Sequence, residues 1–264
     1  MKILFILNSC LGDVILSTSV IKYIIDKYPQ AELYIIKDYR SGGILNDFPN
    51  IKQIYNYKKL NYHFHWFLII YNFIFRYYDI VYDFKNTLLS RILFVKERFI
   101  FQETKKSIIN SNLSVNQIIK KTFNIPKHYN PYIYLNDISF QNNALLNFNT
   151  KYIVLAPTLI DKDLEEDYYL NIINHISNFK IIIIGTNMEN SFYDKYKGKF
   201  DSNVKNLCNS TNLLETAYLI KNSTLFIGRD SGLYHICHSL NKKGIIFFLN
   251  ENNKVPKIIP TNAP

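Results

Sequence analysis

The chain has 264 residues, enough for one large domain or two of ordinary size, and 48% of them are apolar, so packed cores are possible. Its 31 Lys and Arg against 21 Asp and Glu leave a net charge of +10, which draws a protein towards polyanions; without a run of five like charges, an RNP-like aromatic strand or a dense basic helix, nucleic acid is not the expected partner and an anionic surface or substrate fits better. Three cysteines (Cys10, Cys208 and Cys237) with no CxxC spacing argue against a disulfide framework and a structural zinc site.

The opening Met1-Lys2-Ile3-Leu4-Phe5-Ile6-Leu7 has too short an apolar run for a signal peptide and lacks a small-residue cleavage pattern, so it reads as a first strand of a cytoplasmic protein. Further strands are predicted at 31–37, 51–55, 79–83 and 98–101, with helical patterns at 14–28, 60–77 and 86–95 between them. Strands separated by helix-length segments imply βαβ units and a parallel sheet. Residues 66–75 (WFLIIYNFIF) are apolar almost throughout, yet about half the roughly 20 residues needed to cross a bilayer. They read either as a helix buried on the sheet or as a helix lying in a membrane interface, the latter helped by His63, His65, Arg76 and the flanking tyrosines.

A helix at 111–123 closes at Ile125-Pro126, and residues 126–150, with Pro126, Pro131 and four asparagines between 142 and 149, read as a connector. A second alternation starts at Tyr152 and runs through strands at 180–184, 204–207, 224–227 and 244–249, with helices at 164–178, 188–197, 212–221 and 231–240. Two lobes are therefore expected, 1–146 and 147–264, each α/β and Rossmann-like, with ligands at the C-terminal ends of the strands.

Two strand-to-helix junctions carry the chemistry. Asn8-Ser9-Cys10-Leu11-Gly12-Asp13-Val14 has one glycine and is not GxGxxG, which counts against a dehydrogenase. Asp13 stands where a helix begins and reads as an N-cap or first-turn carboxylate, or as a functional acid. In Gly228-Arg229-Asp230-Ser231-Gly232-Leu233-Tyr234-His235 a strand meets a helix near Ser231. Free backbone N–H groups there suit an anion, and Gly232 lets a phosphate come close. The bland alternative makes Asp230 the N-cap and His235 a core or surface residue.

Taken together, these blocks point to a family. The opening through Gly12-Asp13-Val14-Ile15-Leu16-Ser17-Thr18, with Val20-Ile21 and Tyr28-Pro29-Gln30-Ala31-Glu32, resembles the start of the bacterial heptosyltransferases, glycosyltransferase family 9. Tyr78-Asp79-Ile80-Val81-Tyr82-Asp83-Phe84 followed by Ser90-Arg91 is similar to that family's mid-lobe strand and helix. Asn212-Leu213-Leu214-Glu215 and the 228–235 run, ending in Ser239-Leu240-Asn241-Lys242, resemble its donor-site signature.

The resemblance implies the GT-B fold, two Rossmann-like lobes whose parallel sheets face a central cleft. It also implies inverting transfer from a nucleotide-sugar, commonly ADP-heptose, onto the inner core of lipopolysaccharide, an anionic glycolipid at the cytoplasmic face of the inner membrane. By the same resemblance Asp13 is the catalytic aspartate that takes the acceptor proton, with Gly12 in the loop near the acceptor. Asp230, Ser231, Gly232 and His235 form the donor-binding block, whose N–H groups stabilise the leaving diphosphate in place of a metal, and no cofactor is implied. Glu189 matches an acid near the nucleotide ribose, and Lys162 a lysine facing the donor phosphates, although Ala156-Pro157-Thr158-Leu159-Ile160-Asp161-Lys162-Asp163 departs from the family's Gly/Ser-rich turn and Lys-x-Trp. Asp161-Lys162-Asp163 is nominally a DxD metal–diphosphate motif, but that spacing is common by chance in a loop. Asn212 with Glu215 reads as a capping box. About fifteen residues follow the 244–249 strand, where family members usually run on to a helix that returns to the first lobe. The alternatives are transfer of another sugar, a capsule or protein-glycan acceptor, or a catalytically weak nucleotide-sugar-binding partner subunit.

Overall fold

The computed structural model describes residues 1–103, 113–136, 140, 146, 148, 150–158, 162–250 and 253–260, leaving aside the side chains of 63, 162–165, 248–250 and 253–260. The chain divides into two compact units, Met1–Tyr134 and Leu135–Pro264.

In the first unit the order of elements is β1 (Lys2–Ile6), α1 (Leu11–Lys27), β2 (Glu32–Asp38), β3 (Ile51–Tyr57), α2 (Phe64–Phe73), β4 (Tyr77–Asp83), α3 (Leu88–Ile92), β5 (Phe94–Ile100) and α4 (Val115–Thr122). The sheet is parallel, in the order β3-β2-β1-β4-β5. Ile3, Leu4, Phe5, Ile6 and Leu7 are all fully buried, which is why β1 reads as an unbroken apolar run rather than an alternation: helices cover both faces of a central parallel strand. In α1 the buried Ser17, Thr18 and Ser19 return their hydroxyl protons to the carbonyls of Val14, Ile15 and Leu16 at 2.6, 2.6 and 2.9 Å, so burying them leaves no donor unpaired. The Thr18 hydroxyl oxygen also accepts from the Tyr132 N–H at 2.8 Å, which ties the last segment of the unit to its first helix.

One stretch departs from the sequence expectation. The predicted helix at 86–95 shrinks to the five residues of α3, and the strand begins at Phe94 instead of 98. Lys96-Glu97-Arg98 puts three consecutive charges into the strand, and β5 is the outermost strand, where charges on exposed positions are expected. Arg98 then closes the turn, its guanidinium donating to the carbonyls of Ser90 at 2.8 Å and Leu93 at 2.7 Å.

The second unit repeats the plan with β6 (Tyr152–Leu155), α5 (Lys162–His175), β7 (Lys180–Ile183), α6 (Asn187–Tyr196), β8 (Val204–Asn206), α7 (Leu213–Asn222), β9 (Leu225–Arg229), α8 (Gly232–Ser239), β10 (Gly244–Asn250) and β11 (Asn253–Pro260). Its sheet runs β11-β10-β9-β6-β7-β8. Leaving out β11, both sheets have the order 3-2-1-4-5 in units of their own strands, so the direction of winding reverses between β1 and β4 in one and between β6 and β9 in the other. Those switch points are where an open α/β sheet leaves a crevice. Beyond the five parallel strands, β11 adds an antiparallel edge, pairing with β10. Pro256 and Pro260 discourage reading a strand there, yet an edge strand tolerates proline because one row of its N–H groups has no ladder partner. The core beneath this sheet gathers Ile153, Leu155, Tyr169, Ile173, Ile181, Ile183 and Phe192.

Candidate donor and catalytic junctions

At the switch point of the first unit, β1 passes through Leu7, Asn8 and Ser9 into α1. Cys10 is the N-cap and makes no side-chain cap bond, so Asp13 is the third helical residue rather than the cap. Its carboxylate lies partly exposed in the first turn, where the helix dipole favours the ionised form.

The loop before Asp13 is held from the side by residues that the sequence motifs did not single out. Lys85, just past the end of β4, donates from Nζ to Ser9 Oγ at 3.1 Å and to the Tyr57 hydroxyl. The same ammonium stands 5.0 Å from the Tyr57 ring centroid and 5.2 Å from that of Trp66, within cation–π range of both. His65 stacks on Tyr57 at 5.3 Å. Asp83 fixes this turn from below, accepting from the Lys85 N–H at 2.8 Å, the Thr87 N–H at 2.6 Å and the Thr87 hydroxyl at 2.8 Å. At the end of β2, Arg40 grips the buried Asp38 through two side-chain bonds of 3.0 and 2.9 Å. Burial alone raises the Asp38 carboxyl, but the Arg40 bonds outweigh it and hold it below the usual range. Burial brings the neighbouring Lys37 ammonium down to about 8, opposed by the charge of Asp38. The signal that finds Ser9, Arg40 and Lys85 is position: each lies just beyond the C-terminal end of a parallel strand.

In the second unit β9 ends at Arg229 and α8 starts at Gly232. Ser231 is the N-cap, which removes that role from Asp230, itself exposed. The Ser231 hydroxyl is buried, caps nothing and has no hydrogen-bond partner among the described residues. Buried side-chain atoms of Tyr78, Asn116 and Asn203 share this condition among the described residues, so it is the place of Ser231 at the N-terminus of α8 that makes a ligand atom a candidate partner. His235 is one turn into α8 and partly exposed, its N–H reaching the Ser231 carbonyl at 3.4 Å.

Glu189 is buried in the first turn of α6 and does structural work there. Its Oε2 accepts from the Thr186 N–H at 2.7 Å and the Thr186 hydroxyl at 3.1 Å, completing a capping box. Its Oε1 accepts from the Thr158 hydroxyl at 3.1 Å. A carboxylate has about four acceptor positions, so among the described residues one is left for a further donor. Thr186-x-x-Glu189 is the same pattern that identified Asn212 and Glu215, whose box is also formed, with Asn212 N–H donating to Glu215 at 2.8 Å. Lys162 is the first residue of α5; its side chain and all of Asp161 lie outside the described residues, as does the side chain of Asp163. Among the described residues no group of three or more His, Cys, Asp or Glu is placed to hold a metal ion.

A family model described as glycosyltransferase family 9 (heptosyltransferase) matches residues 84–261. The chain belongs to this family. It is a glycosyltransferase, and the Glu189 and 230–235 junctions lie inside the matched span, while Asp13 lies before it. Among curated relatives, a lipooligosaccharide heptosyltransferase 2 of Campylobacter jejuni is 25% identical over 263 aligned residues, covering 94% of this chain and 81% of its own. Among solved structures, the E. coli heptosyltransferase WaaC with ADP-2-deoxy-2-fluoro heptose aligns with a TM-score of 0.73 at 16% identity, over 95% of this chain and 90% of that one. The E. coli ADP-heptose lipopolysaccharide heptosyltransferase II aligns at 0.68 and 16%, over 94% and 85%. At such identities the structural likeness shows the fold: the two Rossmann-like units of this family 9 glycosyltransferase are those of the GT-B heptosyltransferases.

Proposed function

We propose that this glycosyltransferase moves heptose from ADP-heptose, with inversion, onto a lipooligosaccharide or lipopolysaccharide core. What carries the reading is membership of the heptosyltransferase family over 84–261, and the Ser231 hydroxyl, which has no partner among the described residues, offers the donor an anchor. Asp13 takes the proton from the acceptor hydroxyl while that oxygen bonds to the anomeric carbon, and the bond from that carbon to the diphosphate oxygen breaks. The leaving ADP carries the new negative charge. Ser231 and the first-turn N–H groups of α8, beginning with Gly232, stabilise that charge with donors already oriented, and His235 and Asp230 flank them. The remaining acceptor position of Glu189 suits a ribose hydroxyl, and Lys162 supplies a cation for the phosphates. The acceptor is an anionic glycolipid, met by a peripheral protein at the cytoplasmic face of the inner membrane.

The test is a nucleotide-sugar screen by calorimetry, followed by mass spectrometry of a lipooligosaccharide acceptor incubated with the bound donor. ADP-heptose is expected to bind and to add one heptose. Addition of a different sugar, or to a capsule or protein glycan, would replace the proposed substrates within the same chemistry. Tight donor binding with no change in any acceptor would instead make the chain a binding subunit.

Donor binding is also expected to be the same in EDTA as in magnesium, because the groups proposed to hold the diphosphate are N–H, hydroxyl and ammonium donors. Affinity that collapses on chelation and returns with magnesium or manganese would move the diphosphate to Asp161 and Asp163.

A further inference from the structure

Helix α2 is apolar on two opposite faces. His65, Ile69 and Phe73 point inward and are buried, with Trp66 and Ile70 packed beside them against the core of Leu4, Ile6, Ile36 and Tyr78. A surface helix with one face so committed normally presents polar residues on the other. Here the opposite stripe is Phe64, Phe67, Leu68 and Tyr71, continuing to Phe75 just past the helix end. These positions are spaced by three or four residues, so they form one row along the helix. Tyr71 is 71% and Phe75 86% exposed, and the rings of Phe64 and Phe67 stack on each other at 5.7 Å. A contiguous apolar row of this kind marks a contact surface rather than a chance exposure.

The charge around the row says what it meets. From residue 48 to residue 78 the chain has Lys52, Lys58, Lys59 and Arg76 and neither Asp nor Glu. Lys58 and Lys59 are exposed before the N-terminus of α2, and Arg76 is exposed beyond its C-terminus. A second copy fits poorly, because a two-fold interface sets a patch against itself and would bring these cations together. Ten helical residues span about 15 Å, half of a bilayer core, and no helix among the described residues is long and apolar enough to cross a membrane. Aromatic rings beside cations match the depth profile of an anionic lipid surface, rings at the headgroup–acyl boundary and ammonium groups among the phosphates.

We propose that α2 docks this glycosyltransferase on an anionic bilayer, its outer stripe of Phe64, Phe67, Leu68, Tyr71 and Phe75 entering the interface while its inner stripe stays in the core. The inference extends the peripheral location proposed above but does not depend on the donor or the acceptor. The Trp66 side of the helix packs with Tyr57 and Lys85, so lipid contact on one face adjoins the loop before Asp13 on the other.

The experiment is co-sedimentation with vesicles of equal parts phosphatidylcholine and phosphatidylglycerol, containing no sugar acceptor, and with pure phosphatidylcholine as control. The wild-type chain is expected to bind the anionic vesicles, less so as salt rises. The triple variant Phe67→Ser, Tyr71→Ser, Phe75→Ser is expected to bind on the order of tenfold more weakly. All three side chains are exposed, so its melting curve is expected to match wild type; Trp66→Ser, on the inner face, is expected to lower the melting temperature instead. Should the triple variant fail to fold, Lys58→Glu with Lys59→Glu tests the charge half, and unchanged vesicle binding there overturns the proposal. A folded triple variant that sediments like wild type also overturns it, as does a wild type that ignores anionic vesicles. A wild-type dimer that the triple variant converts to monomer would overturn it too, assigning the stripe to a second copy. None of these failures touches the transferase reading, which the acceptor assay tests separately.

Discussion

Replacing Asp13 by Ala is expected to lower sugar transfer by about 10²–10⁴, the usual worth of a general base, while donor affinity changes little. The separation comes from where the residue sits. Asp13 belongs to the first turn of α1 in the Met1–Tyr134 unit, whereas the junction at Ser231 and Gly232, proposed to hold the donor diphosphate, belongs to the other unit. Cys10 is the N-cap, so Asp13 does not cap α1, and its place in the first turn contributes about 0.3–1 kcal/mol through the helix dipole. The Ala variant should bind ADP-heptose by calorimetry with a constant similar to wild type and fail in the acceptor assay, with its melting curve recorded beside both measurements. Asp13→Asn keeps the shape and removes the basicity, so it should fail as badly. Turnover near wild type in both variants would reduce Asp13 to a dipole partner and leave the reaction without its assigned base.

Replacing Gly185 by Ala is expected to damage stability and donor binding together. Gly185 stands two residues past the end of β7 with φ +146°, a conformation that L side chains rarely adopt, and an added Cβ would stand 2.4 Å from Cγ and 2.5 Å from Cδ of Glu189. Backbone strain of about 1–3 kcal/mol adds to overpacking of about 1–3 kcal/mol, so a loss of about 3 kcal/mol is expected in chemical denaturation. The clash pushes the Glu189 carboxylate off the Thr186 N–H and the Thr158 hydroxyl, and with it the acceptor position assigned to the ribose. Glu189→Gln supplies the control. It has nearly the same shape and its carbonyl oxygen can still accept from the Thr186 N–H, so it should cost under about 1 kcal/mol in stability. An Ala variant at 185 as stable as wild type would mean that the turn rearranges freely and that Glu189 is not locked in place.

Both experiments rest on junctions that are legible in the sequence, and the reason is local. A strand buried on both faces must be apolar at every position, so Ile3, Leu4, Phe5 and Ile6 and the run Ile181, Ile182, Ile183 and Ile184 announce central parallel strands without any partner in view. Each such strand leads through a turn into a helix, and Asp13 and Ser231 stand in turns of this kind. Family resemblance needs only short blocks of this sort in order, which is why it is readable at 25% identity to a curated relative.

Other features escape the sequence for equally physical reasons. Consecutive charges on Lys96, Glu97 and Arg98 interrupt the apolar run that marks a strand, and only the place of β5 at the edge of the sheet lets them stand exposed there. The β11 strand is hidden by its prolines, whose cost depends on whether a neighbour needs their N–H groups. Glu189 carries a recognisable T-x-x-E capping pattern, yet its third acceptor bond, from Thr158, joins residues 31 apart in the chain.

By itself the sequence determined the two-part α/β plan, the two strand-to-helix junctions and the family, because each is written in contiguous residues whose chemistry is set by their own neighbours. Only the tertiary structure decided that Lys85, Tyr57 and Ser9 meet beside the Asp13 loop, that the Ser231 hydroxyl is buried without a partner among the described residues, and that the 66–75 run has one face in the core and one outside it. Burial and pairing are properties of what packs against a residue, and for these side chains the packing comes from strands and helices tens of residues away.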